Sequence, residues 1–530
     1  MNKRWIFYLT GFLSGLSVMA IELGASRLMA PYFSSSQIVW TIIIGTIMIA
    51  MAVGNVIGGR MADKNKTPDK MFFWLFVAAT WTMLIPLVGK FIISAVAVGL
   101  AMIIQSNYLV VAAFVSCILV FVFPLLVLGM VTPNLVKFSV ESLDENGKTV
   151  GIIEACNTIG SIIGTFIPTF VSIPWLGTSL TFVIFACVLY AVCLTYFILR
   201  KTKVIKFSVI TGVALILGIL STNIGVAYWK TNILYEGESI YNYLRVEETD
   251  DSVIFSTNVL FGVQSIKTKN SELTGMYYDY AMAAPVAAGA VTEEKSMLVL
   301  GLGTGTFPTQ CDKYFNISEI DGVEIDQEIV DLAYQYFDLS EKVNTFTEDG
   351  RAYLAHTDKK YDIIMVDAYQ DITIPFQMSS LEFFTLVDSH LKEDGVMVVN
   401  MNMNSEAEGG INDYLEGTIT KVFPTAYRVD TYSGNIELFA TNGRDFKERL
   451  EENYSSTTGR LQSLMIRVLS GLKPVEQSDY VLTDDKAPVE LLGMRVLDDM
   501  ILEEISYVKK AIEGKSLREL IKMLFSGELF

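Results

Sequence analysis

The chain has 530 residues, of which 51% are hydrophobic and only 18% are charged. Ordinary soluble proteins carry about 25% charged residues, so the composition excludes a wholly soluble protein. The charge is divided, with 14 basic and 7 acidic residues in 1–225 against 26 and 51 in 226–530. The acidic second half excludes nucleic acid as a partner. Two histidines, and five cysteines without paired spacing, predict neither a metal site nor a disulfide framework.

Seven apolar runs in the first half are long enough to cross a membrane, which takes about 20 residues. They cover residues 5–25, 37–59, 71–89, 107–130, 151–173, 178–199 and 207–222. A further run, 91–104, is short and is predicted to lie at the membrane interface or to re-enter. Glycine pairs four residues apart (Gly11/Gly15, Gly54/Gly58, Gly160/Gly164) have the spacing that lets helices pack closely.

Lysine and arginine cluster at residues 3–4, 60–70 and 200–206. The positive-inside rule places all three clusters in the cytoplasm if the first six spans alternate. A seventh span would then deliver the second half of the chain to the outside. One non-spanning segment would reverse that outcome, and the sequence leaves both arrangements open.

The second half begins with a predicted antiparallel β unit, because residues 239–269 alternate apolar and polar residues between turn signals. A helix over 277–290 follows. Buried apolar strands then alternate with amphipathic helices (SMLVLGLG, EIDGVEID, KVNTFTED, YDIIMVDA, DGVMVVNM), which predicts a doubly wound parallel sheet. Two late strands, 426–430 and 436–441, would close it.

These patterns predict a multi-pass α-helical membrane bundle followed by an α/β Rossmann-like domain of the methyltransferase type. The predicted boundaries are 1–225 for the membrane domain, 226–285 for the small β unit and linker, 286–445 for the nucleoside-binding catalytic domain and 446–530 for a helical extension. Apolar residues at helical spacing in 495–529 predict packing on the domain or on a second copy of the chain, which would make a homodimer.

A glycine turn, Gly301, Gly303 and Gly305, follows the first strand of this domain and precedes a predicted helix. Such a turn lets the backbone approach a nucleotide, and Glu324, 21 residues after Gly303, has the spacing of an acid that binds ribose hydroxyls. Asp349 and Gly350 follow the third strand and Asp367 the fourth. Asp349 could also be only a helix cap, and Asp367 only a loop former. Three acids at successive strand ends favour a nucleoside site.

The motifs resemble those of one known family. Gln264, residues 277–285, GLGTG, VEID, EDG and YDIIMVDAYQDITIPFQMSSLEFF resemble the aminopropyltransferases, or spermidine synthases, over residues 239–440. GGRMAD, FPLLVLGMVTP and LTDDKAPVE are similar to the subgroup in which a multi-helix membrane domain is fused to that enzyme. The resemblance implies transfer of an aminopropyl group from decarboxylated S-adenosylmethionine to putrescine or a related amine, with methylthioadenosine as product and no further cofactor.

The resemblance also implies roles for individual residues. Asp367 matches the catalytic aspartate, and the implied donor-binding residues are Gln264, Glu324, Asp349 and Gly350, beside the glycines of the turn. The implied acceptor-binding residues are Tyr278, Asp279, Thr304, Asp371 and Pro375, the last two matching if one residue is inserted after Asp367. Thr304 replaces an aspartate of the family and Tyr278 a histidine, so the donor part is expected to be retained and the acceptor part altered.

The chemistry agrees with this assignment. An amine with a pKa near that of lysine, about 10.4, arrives protonated and needs a carboxylate to accept its proton. The donor is a cytoplasmic metabolite, so chemistry favours a cytoplasmic catalytic domain on a multi-pass protein of the cell membrane. Two alternatives remain open: a methyltransferase that uses intact S-adenosylmethionine, and a transporter or sensor that binds a nucleoside or polyamine without turnover.

Overall fold

The computed structural model describes residues 4–101, 103–104, 107–140, 146–259, 263–368, 374–401, 408–493, 496 and 515. Asp371 and all but two residues of the predicted helix 495–529 therefore lie outside the described residues. The chain forms two compact units, the first running to Thr231 and the second beginning at Asn232.

The first unit is helical. Its helices are α1 (Arg4–Phe33), α2 (Gln37–Lys64), α3 (Asp69–Ala101), α4 (Tyr108–Gly129), α5 (Val131–Ser139), α6 (Asn146–Ile167), α7 (Ile173–Arg200) and α8 (Val204–Ser221). Within the described residues, six helical stretches are long and apolar enough to cross a membrane. The longest, Asn146–Arg200, contains two of the seven predicted runs, because its helical path breaks at Gly177 (φ +81°). The prediction of a separate segment at 91–104 is wrong for residues 91–101, through which α3 continues.

The paired glycines lie where helices approach without intervening side chains. A Cβ at Gly15 would collide with the Asn157 backbone, and one at Gly160 with the Phe12 carbonyl, so α1 and α6 are in backbone contact. α2 and α4 meet in the same way at Gly54 and Gly58. The predicted packing role of these glycines is confirmed.

The side-chain contacts fix the direction of each helix. Helix α3 contacts its neighbours through Tyr32–Ser94 (α1), Tyr108–Ala97 (α4), Thr80–Tyr190 and Phe72–Tyr196 (α7), and Phe76–Phe207 and Met83–Gly218 (α8). Helices α1 and α6 are in contact at Phe12–Gly160 and Leu16–Gly164. α1, α3, α6 and α8 therefore run one way, and α2, α4 and α7 run the other. Within the described residues, the helical unit therefore makes seven alternating passes.

The second unit begins with the predicted antiparallel sheet. Its four strands are paired in sequence order and are β1 (Ile233–Glu238), β2 (Tyr243–Glu248), β3 (Ser252–Ser256) and β4 (Ser265–Thr268). Two short helices follow, α9 (Tyr277–Ala281) and α10 (Ala283–Ala288).

An eight-stranded sheet forms the centre of this unit, in the order β12-β10-β11-β9-β8-β5-β6-β7. The strands are β5 (Lys295–Leu300), β6 (Ile317–Glu324), β7 (Val343–Thr347), β8 (Tyr361–Val366), β9 (Leu391–Met401), β10 (Thr425–Asp430), β11 (Ile436–Thr441) and β12 (Lys473–Pro474). β5 to β9 pair in parallel, as predicted, whereas β10, β11 and β12 pair antiparallel. The sheet is therefore mixed, and the predicted parallel arrangement holds for the five strands β5 to β9.

Helices cover the two faces of this sheet. They are α11 (Thr306–Tyr314), α12 (Gln327–Tyr336), α13 (Gly350–His356), α14 (Leu381–Ser389), α15 (Ile411–Val422), α16 (Phe446–Asn453) and α17 (Gly459–Gly471). Buried apolar residues of α9, α10, α16 and α17 share one core cluster with residues of β5, β8, β9 and β11. The carboxyl ends of β5, β6, β7 and β8 meet at one edge, where sheets of this kind bind ligands.

Candidate active site

The glycine turn joins β5 to α11. Gly301, Gly303 and Gly305 all have positive φ, of +84°, +54° and +75°, a conformation that side chains disfavour. A Cβ at Gly301 would also lie 2.5 Å from the Asp367 carbonyl oxygen. The turn after β5 is thus packed directly on the backbone that follows β8.

Glu324 is the last residue of β6 and is tied to the same turn. Its Oε2 accepts a hydrogen bond from the Gly303 amide at 2.9 Å, and its Oε1 accepts one from the Asp326 amide at 3.3 Å. Burial raises the pKa of Glu324 to about 7. The carboxyl group is therefore held in place beside the turn.

Asp349 caps a helix and also lines the candidate site. Its Oδ1 accepts a hydrogen bond from the Ala352 amide at 2.9 Å, so it caps α13. It also lines the same cavity as Glu324, as does Gly350. The cap fixes the carboxylate at the cavity wall.

Asp367 follows β8 with both carboxylate oxygens bonded. Oδ1 accepts from Asn400 Nδ2 and Oδ2 from the Tyr277 hydroxyl, each at 2.7 Å. Burial, and to a smaller extent the charge of Glu324, raise the pKa of Asp367 to about 7, against the lowering effect of the two hydrogen bonds. A carboxylate that is oriented and has a pKa near neutrality suits a general base.

One cavity brings most of the predicted residues together. Its lining includes Gln264, Tyr278, Gly301, Gly303, Glu324, Asp349, Gly350, Asp367 and Pro375. The Tyr278 hydroxyl donates to the Gln264 carbonyl at 2.5 Å, which links α9 to the start of β4. Three acids from three successive strand ends therefore share a single site.

Three predicted residues do not line this cavity. Asp279 is 2% exposed, and its carboxylate is used by donors from Thr274, Gly275 and Gln310, so it holds the preceding loop and the prediction of acceptor binding is corrected. Thr304 is fully buried, and its hydroxyl has no hydrogen-bond partner among the described residues. Gly305 is the residue before α11, and a Cβ there would lie 2.1 Å from Leu339 Cδ1, so Gly305 leaves room for that side chain.

Sequence reasoning missed Tyr277 and Asn400 as site residues. Tyr277 lies within a predicted helix and Asn400 at the end of a predicted buried strand. Neither pattern indicates a contact with Asp367, which is 90 residues from Tyr277 and 33 residues from Asn400. An asparagine in an otherwise apolar strand end was the one available signal for Asn400, because buried polar groups need partners.

The fold and the site define a class. A Rossmann-like sheet carries a glycine turn, a buried glutamate and an oriented aspartate around one cavity, an arrangement that indicates a transferase of the Rossmann-like class.

Comparisons with known proteins identify the family. Residues 277–450 match the spermine/spermidine synthase domain. A probable polyamine aminopropyl transferase of Bifidobacterium longum is 45% identical over 62% of this chain and 77% of its own length. The polyamine aminopropyltransferase of Vibrio vulnificus is 25% identical over 50% of this chain and 92% of its own. A probable spermidine synthase structure from Corynebacterium glutamicum aligns with 47% of this chain and 92% of its own at 19% identity and a TM-score of 0.38. The chain belongs to the polyamine aminopropyltransferase family.

Proposed function

We propose that the protein transfers the aminopropyl group of decarboxylated S-adenosylmethionine to a primary amine such as putrescine. The observation that carries this proposal is the position of Asp367, an oriented carboxylate in the same cavity as Glu324 and the glycine turn. The family relationship supports the reaction type. The family relationship does not specify the acceptor amine, and the proposal adds a primary amine such as putrescine.

The reaction needs one bond to form and one to break. The neutral amine nitrogen attacks the aminopropyl carbon attached to the sulfonium, the carbon–sulfur bond breaks, and methylthioadenosine leaves with the electron pair. The attacking nitrogen loses one proton, which Asp367 accepts. Because the leaving group already carries a positive charge, placing the two reactants in line supplies much of the acceleration, up to about 7–11 kcal/mol in favourable cases.

The donor is bound in this proposal by groups from three strand ends. Glu324 accepts hydrogen bonds from the ribose hydroxyls, and Asp349 and Gly350 contact the adenine. The glycine turn lets the backbone approach the nucleoside closely. Gln264 and Pro375 complete the walls of the cavity.

A transfer assay tests the proposal directly. Purified full-length protein in detergent is incubated with putrescine and either decarboxylated or intact S-adenosylmethionine, each labelled in the group that would be transferred. Aminopropylated amine and methylthioadenosine are expected only with the decarboxylated donor. Label transfer from intact donor, or binding without turnover, would refute the proposal.

Methyl transfer is retained as a second candidate because of Thr304. In the resembling family an aspartate occupies this position of the turn, and a carboxylate there would repel the carboxylate of intact S-adenosylmethionine. Thr304 removes that repulsion, and its buried hydroxyl does not replace it. The intact-donor arm of the assay decides between the two reactions.

We further propose that the helical unit is embedded in the cell membrane with its basic helix ends in the cytoplasm. The basic residues at helix ends are Lys64, Lys70, Lys137, Lys148, Arg200 and Lys206. The seven alternating passes bring all of them to one end of the helical unit, whereas α8 ends at the other. The positive-inside rule supports the cytoplasm for the basic end. The cytoplasmic origin of the donor favours the opposite orientation.

Reporter fusions distinguish the two orientations. Alkaline phosphatase, which is active only outside the cytoplasm, is fused after Lys66 in one chain and after Lys230 in another. We expect activity only after Lys230. The reverse pattern would place the catalytic unit in the cytoplasm, in agreement with the origin of the donor.

A further inference from the structure

A second carboxylate, Glu437, lies in the interior next to the proposed base. It is the second residue of β11, is fully buried, and neither of its oxygens has a hydrogen-bond partner among the described residues. Buried carboxylates are almost always paired or hydrogen-bonded, because an unpaired one loses its hydration without compensation. Glu437 therefore needs a partner that the described part of the chain does not supply.

The strand register places Glu437 beside Asn400, which is bonded to the cavity-lining Asp367. It is the cross-strand partner of Asn400, so the two side chains lie side by side on one face of the sheet. Asn400 donates to Asp367, and the Asn435 amide donates to Asn400 Oδ1 at 2.8 Å. Asp367 and Tyr278, both of which line the cavity, lie within electrostatic reach of Glu437.

The neighbouring donors are directed elsewhere. The Tyr277 hydroxyl donates to Asp367 and the Tyr278 hydroxyl to the Gln264 carbonyl. Burial and the charge of Asp367 raise the pKa of Glu437 well above its usual range. An arriving cation with N–H donors would satisfy both oxygens and stabilise the ionised form.

The reaction proposed above supplies such a cation twice. The aminopropyl group of the donor and the distal amine of a diamine acceptor both end in a primary ammonium. The glycine turn, which carries a carboxylate in the resembling family, offers only the Thr304 hydroxyl here. We propose that Glu437 provides the missing negative charge and binds a primary ammonium group of one of the substrates. This inference rests on the proposed function.

Two substitutions test it. Glu437→Gln keeps the shape and removes the charge. Glu437→Leu replaces an unpaired buried carboxyl by an apolar group, which is expected to raise the melting temperature if the carboxyl has no partner in the free protein. Asp362→Asn is the matched control, because it also removes one negative charge from the sheet. Asp362 lies near the start of β8, at the end opposite Asp367, and is bonded to Ser296 and Lys392.

Two sets of measurements distinguish the sources of the ammonium. Calorimetry compares the affinity for decarboxylated S-adenosylmethionine with that for methylthioadenosine, which lacks an ammonium. Steady-state kinetics compare KM for 1,4-diaminobutane with KM for butylamine. Loss of affinity for the donor alone assigns Glu437 to the aminopropyl group, and a raised KM for the diamine alone assigns it to the acceptor.

We expect one of these quantities to change by about 10- to 100-fold in both variants, the usual scale for a charged hydrogen bond. Methylthioadenosine affinity and the control variant are expected to match the wild type. Retained affinity for both ammonium-bearing ligands in Glu437→Gln and Glu437→Leu would refute the assignment. If the wild-type protein transfers no aminopropyl group, the proposed function fails, while calorimetry with the donor and with 1,4-diaminobutane still tests Glu437.

Discussion

The hydrogen bond from Tyr277 to Asp367 allows a quantitative prediction for the pH dependence of the reaction. The active form of Asp367 is the ionised carboxylate, so the rate rises with pH until the group is fully deprotonated. With a pKa of about 7, it is about 9% ionised at pH 6 and about 91% at pH 8. The value of kcat/KM for the amine, measured at saturating donor, should therefore rise about tenfold over this interval.

Tyr277→Phe should move this pH profile. The Tyr277 hydroxyl stabilises the ionised carboxylate, and its hydrogen bond lowers the pKa of Asp367. A hydrogen bond to a charged group contributes about 1.5–3 kcal/mol, and one pKa unit corresponds to about 1.4 kcal/mol. Loss of this hydrogen bond should raise the pKa of Asp367 by about one to two units. The acidic limb of the pH profile, over which kcat/KM rises with pH, should shift to higher pH by the same amount.

A matched variant controls for the loss of a buried hydroxyl. Tyr353→Phe removes the hydroxyl that bonds to Asp321 and Tyr361, away from the cavity. It should leave the acidic limb where it is in the wild type. A limb that stays in place in Tyr277→Phe, or a rate that falls as pH rises from 6 to 8 in the wild type, would refute the assignment of Asp367 as the base.

Three further substitutions and one truncation test other parts of the molecule. Asp367→Asn should lower turnover by about 10² to 10⁴ fold while calorimetric affinity for methylthioadenosine stays near the wild-type value; intact turnover would contradict the proposed base. Glu324→Gln should weaken methylthioadenosine binding by about 1.5–3 kcal/mol, and unchanged affinity would remove Glu324 from the donor site. Gly301→Ala should lower the melting temperature and donor affinity together, because a Cβ there meets the Asp367 backbone at positive φ; a variant as stable as the wild type would show that the turn adapts. A chain beginning at Asn232 should fold and bind methylthioadenosine, since its sheet and core are its own; aggregation of this chain beside a folded full-length protein would show that the units depend on each other.

The sequence was most informative where chemistry follows directly from a strand end. Gly301, Glu324 and Asp367 each come immediately after or at the end of an apolar strand, and parallel strands bring their carboxyl ends to one edge whatever the intervening helices do. The alternation of strands and helices therefore predicted, without knowledge of the packing, that these groups meet at one cavity.

The acceptor side could not be predicted in that way. Asn400 and Glu437 become neighbours only because β11 returns antiparallel beside β9, and the register of that pair is fixed by tertiary packing. Asp279 was misassigned for the opposite reason. Its partners are the local groups of Thr274 and Gly275 and the side chain of Gln310, and an acid at the start of a helix gives no sequence signal that separates loop stabilisation from substrate binding.

In the first unit, the length of a helix could not be predicted from the sequence either. Composition located the apolar runs, but it gave no reason for α3 to continue past residue 90, because helix length depends on neighbours as well as on hydropathy. Pro86 lies inside α3 without ending it. Neighbouring helices can satisfy the backbone groups that a proline leaves unpaired.

The mixed sheet separates the groups proposed to bind the nucleoside from Glu437 by chain segment. Glu324, Asp349 and Gly350 belong to β6 and to the segment after β7, whereas Asn400 and Glu437 belong to β9 and β11, on the other side of β8 in the sheet. Asp367, after β8, stands between the two sets. If Glu437 binds the acceptor amine, mutations around β9 and β11 would change which amine is accepted while leaving recognition of the adenosyl group intact.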